Sequence, residues 1–95
     1  MPGLKPRPSV KWFTGQMERV LRTKDHRLGW DHSPNSYLFR RLMEEVEELR
    51  IELGLKCKNC GYKPKKNIDS KKIIKEATDV ANFAMMIADN ARNRS

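Results

Sequence analysis

The sequence predicts an all-α fold of three main helices. Apolar residues recur at three- and four-residue steps in three segments, residues suited to helix starts and stops flank them, and no stretch alternates as a strand would. With 95 residues the chain fits one domain with a modest core. Residues 1–8 hold three of the five prolines and read as a flexible basic lead-in, and residues 9–92 read as a single helical domain.

The first helix is expected from a Ser9 cap to about Thr23, with Trp12, Phe13, Met17, Val20 and Leu21 as its apolar positions. A loop from Lys24 to His32 follows. Ser33 as a capping hydroxyl, with Pro34 after it, starts a second helix that runs to about Leu53 and stops at Gly54. Its stripe is Leu38, Leu42, Val46, Leu49 and Leu53. A Lys- and Cys-rich loop spans 55–69. Asp69 or Ser70 then caps a third helix to about Ala91, with Ile73, Ala77, Val80, Ala84, Ile87 and Ala88 on one face.

Twenty Lys and Arg against twelve Asp and Glu give a formal net charge of +8, a balance that favours polyanions. Non-specific nucleic-acid binding is one expectation from charge alone. No apolar run is long enough to span a bilayer, which argues against a membrane partner. Two cysteines are too few for a disulfide scaffold, so a reducing, cytoplasmic setting is expected, the host cytoplasm for a viral chain.

The acids fall in a pattern. The second helix carries Glu44, Glu45, Glu47, Glu48 and Glu52; Glu45 and Glu48 are three apart and leave neighbouring turns on one side. Glu45 lies roughly 60° from the centre of the leucine stripe, at the margin of the core. The third helix repeats the spacing with Glu76 and Asp79. If the two stripes pack, four carboxylates converge on one seam. Like charges at these spacings oppose helix formation, and no Lys or Arg follows Glu44, Glu45, Glu47 or Glu48 by four residues. A divalent cation removes the conflict, and Mg²⁺ prefers oxygen ligands. The competing reading is a solvated acidic face partnered by Arg40, Arg41 and Arg50.

Glu44-Glu45-Val46-Glu47-Glu48 followed by Glu76-Ala77-Thr78-Asp79 resembles the E-E-x-x-E … E-x-x-D signature of the MazG-type all-α nucleoside triphosphate pyrophosphohydrolases. The 27 residues between the halves stand at the long end for that family. The run from Asp79 to Asp89 resembles a MazG-like third helix, and Asp25-His26-Arg27-Leu28-Gly29-Trp30 is similar to a stretch of phage members, so the likeness extends from Trp12 to Asn90. The resemblance implies hydrolysis of a nucleoside or deoxynucleoside triphosphate to the monophosphate and pyrophosphate. It implies Mg²⁺ ligation, with Mn²⁺ able to substitute, by Glu45, Glu48, Glu76 and Asp79, and a role for Glu44, Glu45 or Glu48 in activating water. It also implies a homodimer or dimer of dimers in which two chains complete a four-helix core. There is no G-x-x-x-x-G-K element, which excludes a P-loop mechanism.

Substrate contacts are expected from Asn82, three residues past Asp79, from Lys75 and Lys72 near the seam, and from the loop, where a base can stack on Trp30 while Lys24 or Arg27 meets phosphate. The alternatives are a plain surface asparagine, solvated lysines, and a Trp30 that plugs the end of the bundle. His26 and His32 have no metal-ligand spacing. Cys57 and Cys60 have the C-x-x-C spacing of half a zinc site, whose other ligands a partner chain or His26 and His32 would supply; a pair of reduced thiols is the alternative. Two other functions compete with the hydrolase: a basic nucleic-acid-binding module with a half zinc knuckle, which leaves the acid cluster unexplained, and a regulatory helical protein without turnover.

Overall fold

The computed structural model describes residues 3–25, 29–55 and 67–94. Among them the chain is all-α: α1 (Pro8–Arg22), α2 (Asn35–Glu52) and α3 (Ser70–Arg94), with a short 3-10 helix at Trp30–His32 in the first connection. None of these helices is long and apolar enough to cross a membrane.

The helix ends follow backbone chemistry more than hydroxyl caps. Ser9 does not cap α1. The helix begins one residue earlier, because Pro8 lacks an N–H and has a φ suited to a first turn. Ser33 likewise leaves α2 uncapped: Pro34 holds the cap position with extended backbone, and its carbonyl accepts from Tyr37 and Leu38 at 3.1 and 3.2 Å. The end of α2 is as expected. Gly54, at φ +72°, donates to the Ile51 carbonyl at 3.0 Å and Leu55 to that of Arg50 at 3.1 Å, the paired bonds of a Schellman ending. At α3 the Asp69 carboxylate accepts from the Lys71 amide at 3.0 Å, which settles the cap on Asp69. The helix then continues to Arg94 rather than stopping near Ala91.

α3 packs mainly along α2, with α1 against another side and the 3-10 helix near its C-terminal end. Of the face expected to be buried on α3, Ile73, Ala77, Val80 and Ile87 are half-buried, but the centre of burial lies elsewhere. Thr78, Asn82 and Asn90 are its buried residues, while Ala84 and Ala88 are exposed. At 100° per residue those alanines lie roughly 80–160° from Thr78 and Asn82, so α3 is rotated away from its aliphatic stripe. Hydrogen bonds explain the rotation. Asn82 Nδ2 donates to the Met17 carbonyl of α1 at 3.3 Å. Asn90 Nδ2 donates to the Trp30 carbonyl at 3.1 Å and to Asn35 Oδ1 at 3.2 Å, tying the 3-10 helix and the start of α2 to one residue. Thr78 returns its hydroxyl to the Ile74 carbonyl at 2.7 Å.

The apolar interior is small. Leu38 is the one fully buried hydrophobic residue among those described, and Trp12, expected on the inner face of α1, is 52% exposed. Phe39, Met43 and Val46 follow one another at four- and three-residue steps on the outside of α2, at 57, 50 and 38% exposure.

Asn90→Ala removes two hydrogen bonds and leaves their acceptors beside a void. Unfolding free energy should fall by about 1–3 kcal/mol, read as a lower urea midpoint, while Asn35→Ala, which deletes only one acceptor, should cost less.

Candidate metal centre

Three carboxylates come together where α2 meets α3. Oxygens of Glu45, Glu76 and Asp79 all lie within 4.8 Å of one another, close enough to share one cation. Helix geometry produces the set: Glu76 and Asp79 leave neighbouring turns of α3, and Glu45 faces them from α2. Glu45 was expected at the margin of the core. It is 6% exposed, beside Leu38 on the buried face of α2.

The cluster differs from a solvated acidic face in its unmet bonding. Glu45 Oε2 and Glu76 Oε2 are buried and, as charged carboxylate oxygens, meet no hydrogen-bond donor among the described residues. A buried carboxylate oxygen without a donor is costly, and a hard cation is the ligand that carboxylate oxygens suit. Burial first, and then the hydrogen bond and negative charge of neighbouring Glu48, push the Glu45 carboxyl up to about 7. Burial and Glu48 also raise Glu76, against a lowering by Lys75. Glu48 thus adjoins the triad from the exposed side of α2 without being one of the three. The fourth expected ligand stands beside the centre rather than within it.

Two cations flank the acids. Arg41 Nη2 lies 3.2 Å from Glu45 Oε1, and Nη1 bonds Glu44. Glu44 is exposed and turned to this arginine, outside the triad. The Arg41 guanidinium also lies 5.4 Å from the centre of the Phe83 ring. On the other side, Lys75 Nζ lies 3.2 Å from Asp79 Oδ2 and 3.7 Å from Glu76 Oε1. The expected solvated face is real further along α2, where Arg50 pairs with Glu47.

A cavity of about 800 Å³ adjoins the centre through Arg41, with Lys24, Trp30, Tyr37, Leu38 and Phe83 among its other walls. Trp30 donates its indole N–H to Asp89 at 3.0 Å, so the ring both closes the end of the bundle and lines the cavity. Asn82 lines neither this cavity nor the smaller hollow between α1 and α3; its 3% exposure belongs to the clasp on Met17. Lys72 is exposed on α3. Arg27, His26, Cys57 and Cys60 lie outside the described residues, and with them the zinc half-site. The sequence reading treated Arg41 only as a surface partner. Its place four residues before Glu45 was the available signal.

Searched against protein-family models, curated proteins and solved structures, the chain matches none of them.

Because the folded state holds a proton on Glu45 more tightly than the unfolded state does, metal-free protein should lose stability as pH rises from 4.5, the ordinary glutamate value, to about 7. At pH 8 without divalent ions, Glu45→Gln should melt about 4–8 °C above wild type, the shift of about 1 kcal/mol in a domain this size. Millimolar Mg²⁺ should raise the wild-type midpoint and leave that of the variant unchanged, measured by scanning calorimetry.

Proposed function

We propose that the protein is a Mg²⁺-dependent nucleotide pyrophosphohydrolase, converting a nucleoside or deoxynucleoside triphosphate to its monophosphate and pyrophosphate. The observation that carries this reading is the Glu45/Glu76/Asp79 triad with two buried, unpartnered carboxylate oxygens. The resemblance of the two acidic motifs to those of MazG-type enzymes supplies the reaction class. The cavity beside the triad supplies space for a nucleoside, within the usual 300–1,000 Å³ or so of small-molecule sites.

Glu45, Glu76 and Asp79 would hold the cation. When bound, it neutralises phosphate oxygens and lowers the pKa of a water molecule. Glu48 would take that water's proton; its nearness to the triad and its greater exposure than Glu45 support that role. Glu44 is engaged by Arg41, which makes it a positioning residue for that arginine. The water oxygen bonds to the α-phosphorus while the bond from that phosphorus to the α–β bridging oxygen breaks. Pyrophosphate leaves with the electron pair. Arg41, between cavity and triad, offers positive charge to the α-phosphate, and Trp30, Tyr37 and Phe83 offer rings to the base. A triphosphate substrate goes with a cytoplasmic setting.

A second copy of the chain is part of the proposal. One fully buried hydrophobic residue is a thin core, and the Phe39/Met43/Val46 stripe and the exposed Ala84 and Ala88 are apolar surfaces that a second chain would cover.

A panel of nucleoside and deoxynucleoside triphosphates with Mg²⁺ should yield monophosphate and pyrophosphate in equal amounts for at least one substrate. Asp79→Asn and Glu48→Gln should each lower kcat by about 100-fold with helix content retained. Diphosphate plus inorganic phosphate as products, or no turnover by folded protein, would overturn the assignment. In sedimentation velocity, Met43→Glu should shift wild-type oligomer toward monomer; a monomeric wild type would remove the second copy.

A further inference from the structure

The end of α3 holds Trp30 by both its main chain and its ring. Asn90, 1% exposed, donates Nδ2 to the Trp30 carbonyl at 3.1 Å. Its neighbour Asp89 accepts the Trp30 indole N–H on Oδ2 at 3.0 Å. One turn on, Arg94 Nη2 donates to the carbonyls of Asp31 and Ser33 at 3.0 and 3.1 Å. Three residues of one helix end thus clasp the 3-10 turn. The carbonyl bonds place its backbone, and the bond to Asp89 bears on the ring.

Trp30 is half-buried, and its ring turns about two side-chain bonds. A hydrogen bond at the indole nitrogen limits both rotations. Asp89 is itself oriented: Arg92 Nε lies 2.8 Å from Oδ1, while Oδ2 takes the indole. The bond from Trp30 first, and then that from Arg92, hold the Asp89 carboxyl below the usual carboxylate range, so it accepts as a charged group at neutral pH. An indole has one N–H and no acceptor. With that N–H engaged, Trp30 has no donor left for the edge of a base, and what it offers the cavity it lines is a ring face. Asp89 does not line that cavity, so any effect it has on an occupant passes through Trp30.

We propose that Asp89 is a positioning residue for nucleotide binding: its carboxylate sets the indole of Trp30 so that the ring meets the base by its face. The inference rests on the pyrophosphohydrolase reading and goes beyond it. It puts a determinant of base stacking outside the cavity wall, ten residues and about 15 Å along α3 from Asp79. It also makes recognition at this wall a matter of stacking, without hydrogen bonds from Trp30 to the base.

The test is calorimetric titration of the common ribo- and deoxyribonucleoside monophosphates, with Mg²⁺, into the full chain as wild type, Asp89→Ala, Asp89→Asn, Trp30→Phe and the Asp89→Ala/Trp30→Phe double variant. For the monophosphate that wild type binds best, Asp89→Ala should weaken binding about tenfold, within the worth of one base stack. Asp89→Asn keeps an acceptor and should stay within about threefold of wild type. Trp30→Phe breaks the same bond from the other end and should also lose about tenfold. The double variant should lose no more than the larger single loss, since the two residues act as one unit. In turnover, Asp89→Ala should raise KM about tenfold with kcat within about twofold. Should Asp89→Ala not fold, Trp30→Phe and Asp89→Asn carry the decision. Additive losses in the double variant, wild-type affinity in Asp89→Ala or Trp30→Phe, a loss in Asp89→Asn as large as in Asp89→Ala, or a fall in kcat at unchanged KM would each overturn the assignment, as would a wild type that binds none of the monophosphates. The expected binding pattern without turnover of any triphosphate would keep the role of Asp89 and remove the hydrolase. Turnover by wild type with kinetics untouched in Asp89→Ala would do the reverse.

Discussion

The fold depends on how the buried carboxylate of Glu45 is balanced. One of its oxygens meets Arg41, the other meets no donor among the described residues, and Glu48, Glu76 and Asp79 surround it with charge of its own sign. Two charged carboxylates a few ångströms apart in a partly dry seam repel strongly, and two things can ease that repulsion: a proton or a cation. A pKa of about 7 for Glu45 means that the proton is a real option near neutrality. The acids thus sit in the seam between the two longest helices, where an apolar layer would otherwise be. A chain that places its charge there forgoes hydrophobic stabilisation for a site that a divalent ion can complete.

Polar side chains do the aligning that apolar contacts usually share. Asn82 ties α3 to α1 through the Met17 carbonyl, and Asn90 ties it to both Trp30 and Asn35. A buried amide aimed at a carbonyl fixes rotation and register more tightly than a leucine on a leucine, because its hydrogen bonds tolerate little misalignment. The aromatic cavity follows from these ties: they set Trp30 at the end of α3, where its indole reaches Asp89, while Phe83 faces Arg41. The same rotation of α3 that brings the asparagines inward leaves Ala84 and Ala88 outside.

Features set by spacing along one helix were legible in the sequence. The three helices, the Gly54 ending and the pairing of Glu76 with Asp79 depend on periodicity and local backbone chemistry. The rotation of α3 did not show. Apolar periodicity pointed to Ile73, Ala77, Val80, Ala84, Ile87 and Ala88, and asparagines in a helix look like surface residues until their partners on other elements are known. Glu45 was read as marginal for a related reason: a wheel centred on the leucines gives the stripe of α2, whereas burial is set by where α3 lies, closer to Leu38 than to Val46 or Leu53, which are 38 and 39% exposed. Ser9 and Ser33 were credited with caps that the prolines beside them displaced. Arg41 was missed because a surface ion pair and an arginine joining a cavity to a carboxylate have the same one-dimensional spacing.

The charge pattern of the whole chain bears on why site and surroundings differ in sign. A net charge of +8 with an acid cluster at its centre gives a field that draws in polyanions and a local potential that rejects them. Acids alone would repel a triphosphate, and basic residues alone would bind it without activating water. On the proposed reading the two operate together: the carboxylates collect the dication, the dication reverses the local sign, and Arg41 and Lys75 stand on either side of the point where that reversal occurs. Before the cation arrives, the same two side chains lie on Glu45 and on Asp79 and Glu76. On that reading, the residues that partly neutralise the carboxylates are also the ones best placed to meet phosphate, so assembly of the centre and capture of its substrate draw on one set of charges.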